Sequence, residues 1–476
     1  MRFILRGISR FGLLMALALL GFTCNKQHFL DKKPSTLLLV PTSLSDFQQL
    51  LDYTNVFNLV PVLGEVSADN YYVSYAAWQA MTPLENRSYT WSKDIYNGQG
   101  TQQDWNTPYQ QVFYANVVLD GLKKMTPSPD SVALYDALKG AALFLRAFAF
   151  YNLAQLFAPV YDNATATSDL GIPLRLSSSI DTLSARSTVQ ATYGQILTDL
   201  QTAEGLLPTG SPGKTLNRPV QVAAQALLAR VYLSMRNYAV ARTYADRALQ
   251  TYATLIDYNT LDSTKAVPIG LLNPETLYQA SFLGVNIQGA TYFSSISGAY
   301  TTTLVDSNLL RSYDPNDLRR VIYYRTKTHD STRYLKGSYA GSIYPFGGLA
   351  VDELLLIRAE GAARAGDGNA AIDDINTLLG KRWRTGKFSG YHVASAGEAL
   401  DTVLLERRKE LAFRGLRWTD LRRLNKEGAN ITLMRILPGP TDTIKYTLAP
   451  NTLNYTLPIP PDVLSLNKAI QQNPRN

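Results

Sequence analysis

Glu353/Glu360 and Glu406/Glu410 are the side chains of this 476-residue sequence that come nearest to covalent chemistry. Glycoside hydrolysis uses two carboxyl groups, one to protonate the leaving oxygen and one to attack or to activate water. Each pair, however, lies in an arginine-rich stretch beside Arg358, Arg364 or Arg407. A carboxylate next to a guanidinium is held ionised, so ion pairing within a scaffold accounts for both pairs better than acid–base work. Other chemistries have less to work with. His28, His329 and His392 stand far apart, and there is no HExxH, CxxC or GxSxG. Zinc and triad sites are therefore without their usual residues. No cofactor is expected. The Asp162–Asp169 stretch leaves room for a structural calcium ion, although it lacks EF-hand spacing.

Binding is better supplied than catalysis. The chain holds 29 Tyr against 16 Phe and 5 Trp. Tyrosine joins a flat apolar face to a hydroxyl, which suits wet surfaces that hold sugars or peptides. Most of these rings are expected to line helix contacts. Two irregular stretches concentrate the remainder. Residues 67–97 carry Tyr71, Tyr72, Tyr75, Trp78, Tyr89, Trp91 and Tyr96, and residues 251–348 are rich in Ser, Thr, Gly and Tyr. A loop that long inside a compact protein is usually functional or disordered, and its aromatic content argues against disorder. The candidate ligand residues are Asp69, Asn70, Tyr71, Tyr72, Tyr75 and Trp78 from the first stretch. Tyr292, Tyr300 and Arg311 come from the second. The Tyr71–Trp78 cluster is expected to supply one platform.

Something must hold these loops, and the periodicity says that it is helical. Ser45 is expected to cap a helix whose apolar side is Leu44, Phe47, Leu50 and Leu51. Trp105–Leu122 reads as a helix with Tyr109, Val112, Phe113, Asn116 and Leu119 on one side, and Asp136–Leu156 as a longer, alanine-rich one. Ser187 or Thr188 begins another, stopped by Pro208. Two helix pairs of tetratricopeptide type come next. One lies within Arg218–Leu249, with its turn at Arg236-Asn237, and one spans Asp352–Leu379, turning at Gly366-Asp367-Gly368. In Leu404–Gly428, Glu410 and Arg414 stand at i, i+4 and are expected to pair, with Gly415 breaking the helix. The fold class is mainly α: helix pairs forming a scaffold, long irregular insertions, and minor β.

The N-terminus is of another kind. Arg2, Arg6 and Arg10 precede an apolar run, Phe11–Phe22, which is shorter than the roughly 20 residues needed to span a bilayer. Such a stretch describes an export signal rather than an anchor helix. The chain's one cysteine, Cys24, comes directly after it, and the stretch resembles a bacterial lipoprotein signal cut before an acylated cysteine. An ordinary secretory signal would need an A-x-A site, and the one present, Ala16-Leu17-Ala18, lies inside the apolar run. Residues 1–23 are thus a signal. The body, 24–476, divides into a helical part 24–250 with its aromatic loop 67–97, the insertion 251–348 as the ligand face, and a C-terminal part 349–476. Removing the three arginines lowers Lys+Arg from 46 to 43 against 38 acids, leaving about +5 in place of +8. That mild, dispersed excess gives no case for nucleic acid. Attachment to the membrane is expected through the N-terminal lipid only.

The segment LLERRKELAFRGLRWTDLRRLNKEG (Leu404–Gly428) resembles the signature of the SusD/RagB-like outer-membrane nutrient-binding lipoproteins, roughly E-R-x-x-E-L-x-x-E-G-x-R-W-x-D-L-x-R. Glu406, Arg407, Glu410, Leu411, Gly415, Arg417, Trp418, Asp420, Leu421 and Arg423 fall on it, and Arg414 replaces the usual acid. Other landmarks recur in order, among them FLDKKPS, LRAFAFYNLAQLF, GIPL, LLLIRAE and LPIP. The resemblance implies four tetratricopeptide-like units, a ligand face built from the irregular regions, and no catalysis. It also implies a place on the outer membrane facing the exterior, and a SusC-like TonB-dependent transporter that receives the captured oligosaccharide or peptide. A tetratricopeptide lipoprotein that scaffolds outer-membrane assembly would share the signal and the helix pairs, but would not need a long aromatic insertion. A glycan hydrolase is the least favoured alternative.

Overall fold

The structure is a computed structural model that describes residues 41–100, 102–213, 215, 217–282, 303–326, 332–336, 339–342 and 344–476. Cys24, Tyr292 and Tyr300 lie outside them. Residues 43–476 form one compact unit, in which the longer helices are α1 (Leu44–Leu51), α2 (Gln103–Leu122), α3 (Val132–Phe157), α4 (Val189–Leu206), α5 (Gln221–Ser234), α6 (Tyr238–Thr251), α7 (Val351–Arg364), α8 (Gly368–Leu379), α9 (Ala396–Glu410) and α10 (Arg417–Lys426). From α2 to α9 each helix packs against the next, and α9 also packs on α7. The array is the tetratricopeptide-like scaffold expected from the sequence. α3 and α5 are buried along most of their length, as helices that are apolar all round must be.

The two hairpin turns share one design. Arg236 between α5 and α6 and Gly366 between α7 and α8 take left-handed backbone angles, φ +62° and +88°. In each case the next residue, Asn237 or Asp367, accepts a hydrogen bond from the backbone N–H three positions on and caps the second helix. α1 begins earlier than expected: Ser43, not Ser45, is its cap, forming a capping box with Asp46. On α2, Phe113 faces outward while Val112, Asn116 and Leu119 are buried.

Strands are short and paired in twos among the described residues. In chain order they are β1 (Leu59–Val60), β2 (Tyr71–Val73), β3 (Leu170–Pro173), β4 (Arg186–Thr188), β5 (Thr276–Tyr278), β6 (Ser281–Phe282), β7 (Thr303–Val305), β8 (Tyr324–Thr326), β9 (Arg333–Leu335), β10 (Leu349–Ala350), β11 (Leu433–Pro438) and β12 (Thr443–Leu448). Two pairings join the early part of the chain to the insertion, and the second of them starts within the aromatic stretch 67–97. β1 runs parallel to β6, and β2 runs antiparallel to β7 with Tyr72 opposite Leu304.

The signature segment is two helices, not one. α9 stops at Glu410, Phe413 and Gly415 turn through φ +61° and +75°, and α10 starts at Arg417. A Cβ on Gly415 would also stand 2.8 Å from the Phe282 ring, so the position requires glycine. The turn carries Arg414 off the helix, which is why the expected Glu410–Arg414 pair does not form. Arg414 instead bonds Asp352 at 2.5 Å.

A buried acid fixes the approach to β2. Asp104, in the first turn of α2, accepts the N–H groups of Val62 (2.6 Å) and Leu63 (2.9 Å), where the short helix Leu63–Ser67 begins. Burial pushes its carboxyl up to about 6, against the pull of those two donors. A raised acid favours folding below its ordinary value and loses that contribution as pH rises through 6. Asp104→Asn keeps an acceptor oxygen and removes the titration. The variant is expected to match the parent near pH 4 and to be more stable at pH 7 by up to about 3 kcal/mol, as read by thermal unfolding across that range.

Candidate functional site

The candidate residues of the first stretch separate into two groups. Asp69, Asn70 and Tyr71 belong to the framework. Asp69 takes Arg408 Nη1 at 2.9 Å and Arg417 Nε and Nη2 at 2.7 and 3.0 Å, clamping the loop to α9 and α10. Burial would raise its carboxyl, but the Arg417 and Arg408 guanidiniums outweigh this and hold it well below the usual carboxylate range. Asn70 is buried and donates from Nδ2 to Glu65 Oε1 at 2.7 Å, while its carbonyl accepts from Asp306 N at 2.8 Å. Tyr71 is 1% exposed, donates to the Val66 carbonyl and packs on Tyr89. The alternation of β2 explains the split: Tyr71 and Val73 point to the core, and half-buried Tyr72 points the other way.

Tyr75 and Trp78 remain as a platform, on the short helix Tyr75–Gln79 that Ser74 caps. Their rings are 5.8 Å apart, and Trp78 lies 6.2 Å from a third ring, Tyr446 of β12. All three are half-buried. The indole is oriented by a reciprocal pair of bonds: Nε1 donates to the Asn86 carbonyl (3.3 Å), and Asn86 Nδ2 donates to the Trp78 carbonyl (2.9 Å). Gln79 donates to the Tyr75 hydroxyl at 2.8 Å. Three aromatic faces with amides and hydroxyls between them can stack on the apolar faces of a sugar ring while bonding its hydroxyls.

The hairpin β11–β12 completes this surface. Its inner face carries Leu433, Arg435 and Leu437, and its outer face exposes Met434 and Ile436. Arg435 is the residue that sequence reasoning missed. Although 4% exposed, it donates to the carbonyls of Ala68 (2.6 Å), Tyr71 (3.0 Å) and Tyr89 (3.2 Å) and lies over the rings of Tyr89, Trp91 and Tyr71. One guanidinium therefore ties the aromatic loop to the hairpin that brings Tyr446. The alternating pattern of Leu433–Leu448 around its Pro-Gly-Pro turn was the available signal. Arg311 ends the short helix Ser307–Arg311 that follows β7. It is exposed and donates to Asn308 Oδ1 at 2.5 Å. The β2–β7 ladder brings its chain segment alongside the loop.

The carboxylate pairs are enclosed and occupied. Glu410 accepts from Arg319 at 2.9 Å and Arg382 at 2.7 Å, Glu406 from Arg319 at 2.7 Å and Lys409 at 2.5 Å, and Glu353 from Arg230 at 2.5 Å. Glu360 accepts two bonds from Arg423, at 2.6 and 2.8 Å, and one from Arg364 at 2.9 Å. None of the four is more than 2% exposed. The nearby arginines are used differently from the expectation in two cases: Arg407 pairs with Asp420, and Arg358 with Asp374 and Asp246. Among the described residues no group of three or more His, Cys, Asp or Glu converges as a metal site, and no helix is long and apolar enough to cross a membrane.

A family model described as starch-binding, associating with outer membrane, matches residues 28–233, and one described as the SusD family matches residues 350–475. The span between the two matches holds the insertion. SusD-like protein P2 of Formosa agariphila is 24% identical over 422 residues, covering 74% of this chain and 80% of that protein. A crystal structure of a SusD superfamily protein from Bacteroides thetaiotaomicron aligns with TM-score 0.72 at 22% identity, over 91% of this chain and 100% of that one. A SusD-like carbohydrate binding protein from Bacteroides vulgatus aligns with TM-score 0.68 at 18% identity, over 92% and 99%. Two family models in the order of the sequence landmarks, over a helical array that those folds share from end to end, lead to one conclusion: the chain belongs to the SusD/RagB-like family.

Proposed function

We propose that this protein captures an oligosaccharide, or a peptide, at the outer face of the outer membrane and passes it to a SusC-like TonB-dependent transporter without altering a covalent bond. The observation that carries this reading is the half-exposed Tyr75–Trp78–Tyr446 ring cluster, held by Arg435 on a framework whose carboxylates are all engaged. Tyr72 and Arg311 extend this face. Tyr292 and Tyr300, from the insertion, are assigned to it on sequence grounds. Asp69, Asn70 and Tyr71 hold it from behind. Residues 1–23 act as the signal, and Cys24 carries the lipid that is the protein's attachment to the membrane.

Placement and partner can be tested together. Protease added to intact cells is expected to degrade the protein, and a TonB-dependent barrel is expected to co-purify with it after mild solubilisation. Cys24→Ala should release it from the membrane fraction. Protection from protease with no barrel in the complex would favour the periplasmic assembly scaffold and reject the capture reading.

A further inference from the structure

We infer that the β8–β9 hairpin gives the ligand face a cationic subsite that takes a carboxylate- or sulfate-bearing unit of a saccharide. The choice of saccharide rests on the proposed capture function, whereas the cationic cluster rests on its own geometry. Residues 318–336 contain six cations, Arg319, Arg320, Arg325, Lys327, Arg333 and Lys336, against one acid, Asp330. Lys327 and Asp330 lie outside the described residues. Arg319 is spent in the interior on Asp317, Glu406 and Glu410. Four cations are left on and beside the hairpin, and among the described residues none of them has an ion-pair partner.

The backbone holds these charges together. In the antiparallel register, Arg325 stands opposite Tyr334 and Thr326 opposite Arg333. Arg333 Nη1 donates to the Arg320 carbonyl at 2.7 Å, and Lys336 Nζ donates to the carbonyls of Ser263 and Val321 at 2.5 and 2.6 Å. Neutral carbonyls satisfy those donors without cancelling their charge. Burial pulls the Arg333 guanidinium and the Lys336 amine below their usual values, and neighbouring cations pull them further. Arg320 acts on Arg333, and Arg325 and Arg333 act on Lys336. The acid that opposes this at Lys336 is Asp262, which is shared with Lys265.

The donors that a ligand needs are within its reach. Arg325 is exposed, and Arg320 and Arg333 are half-buried. The side chains of Arg320 and Arg325 donate to no described residue, and Arg333 keeps Nε and Nη2 uncommitted. None of the unpartnered nitrogens of Arg320 and Arg333 is enclosed by protein. A guanidinium fork matches a carboxylate or sulfate through two parallel bonds. Like charges gathered without a counter-ion cost energy in the free protein, and a bound anion recovers it. β9 packs beside β7, which pairs with β2, the strand of Tyr72. The cations therefore adjoin the proposed ligand face, which is why a sugar unit rather than a protein segment is assigned to them.

The test probes the intact protein with an array of neutral, uronate-bearing and sulfated oligosaccharides and with oligoglutamate, then titrates the strongest glycan binder and its neutral counterpart by calorimetry. The strongest binder should be anionic and should bind about tenfold more tightly than its neutral counterpart, the scale of one charge-assisted hydrogen bond. That margin should shrink between about 0.01 M and about 1 M salt, as the screening length falls from about 30 Å to about 3 Å. Arg325→Gln gives up no side-chain bond to a described residue, so melting should hold while the margin falls by about threefold, the scale of an exposed ion pair. Adding Arg333→Gln should abolish it. Lys124→Gln removes the same charge from an exposed position just beyond α2 and should leave the margin in place. Trp78→Ala should weaken the anionic ligand and its neutral counterpart alike, so platform and subsite are read separately. A neutral glycan that binds as tightly as any anionic one, a margin that survives the double variant, or one that Lys124→Gln lowers equally, overturns the subsite and leaves the capture reading standing. Binding of oligoglutamate with no anionic glycan bound gives the hairpin to an acidic protein segment and overturns the saccharide assignment. An array with no binder strikes the capture reading and this assignment with it.

Discussion

Arg382→Met is expected to destabilise the fold by about 3–5 kcal/mol, the scale of a buried ion pair broken from one side. Arg382 is fully enclosed, binds Glu275 at 2.8 Å and Glu410 at 2.7 Å, donates to the Ile256 carbonyl at 2.8 Å, and lies 4.1 Å over the Tyr258 ring. Removing it leaves two buried carboxylates short of their counter-ion, and the loss should depend on pH. Burial already pushes the Glu275 carboxyl up to about 7, with Arg382 pulling it down. Without Arg382 that group rises further. An acid raised in the folded state contributes stability at low pH and loses it as pH climbs through the folded value. The deficit relative to the parent should therefore be smallest near pH 4.5 and widen through pH 7 and above. Denaturant unfolding at several pH values checks this, and a deficit independent of pH would mean that packing, not the orphaned charge, dominates.

Trp78→Ala should weaken ligand binding by roughly 30-fold, equivalent to about 2 kcal/mol for an aromatic anchor. Tyr446→Ala should do the same to a lesser degree, because its ring abuts Trp78 from the hairpin side. Both residues are only half-buried and no buried charge depends on them, so circular dichroism and melting should stay close to the parent. Titration against a panel of oligosaccharides reads the effect. The non-additivity of the double variant would report the contact between the two rings.

The scaffold was legible in the sequence because helices repeat their contacts locally. Apolar spacing and the Asn237 and Asp367 turns were enough to place α5 through α8, whose described bounds differ from the expectation by only a few residues. The site was legible only by half. Tyr75 and Trp78 could be named from their aromatic density, but Tyr71 looked the same in one dimension and turned out to be core. A three-residue strand paired with β7 decides which side each ring takes, and that pairing spans more than 200 residues of sequence. The hairpin of Tyr446 and Arg435 shows in its alternation, but the contacts these two residues make were invisible for the same reason: their partners lie more than 300 residues away. The charged signature told the opposite story to its appearance. Its acids and arginines look reactive as a list, yet the helix ends at Glu410 and the turn through Phe413 and Gly415 sends Arg414 to Asp352, and long-range partners such as Arg319 and Arg382 absorb Glu406 and Glu410.

The central claim is capture without conversion, and a titration that recovers the sugar tests it most directly. The purified protein would be titrated with an oligosaccharide and the ligand then analysed for chain length. Saturable binding, a ligand returned intact after prolonged incubation, and loss of the binding heat in the Trp78→Ala/Tyr446→Ala variant at unchanged melting temperature are the predicted results. Shortened sugar in the recovered ligand, or full binding by a folded double variant, would contradict it.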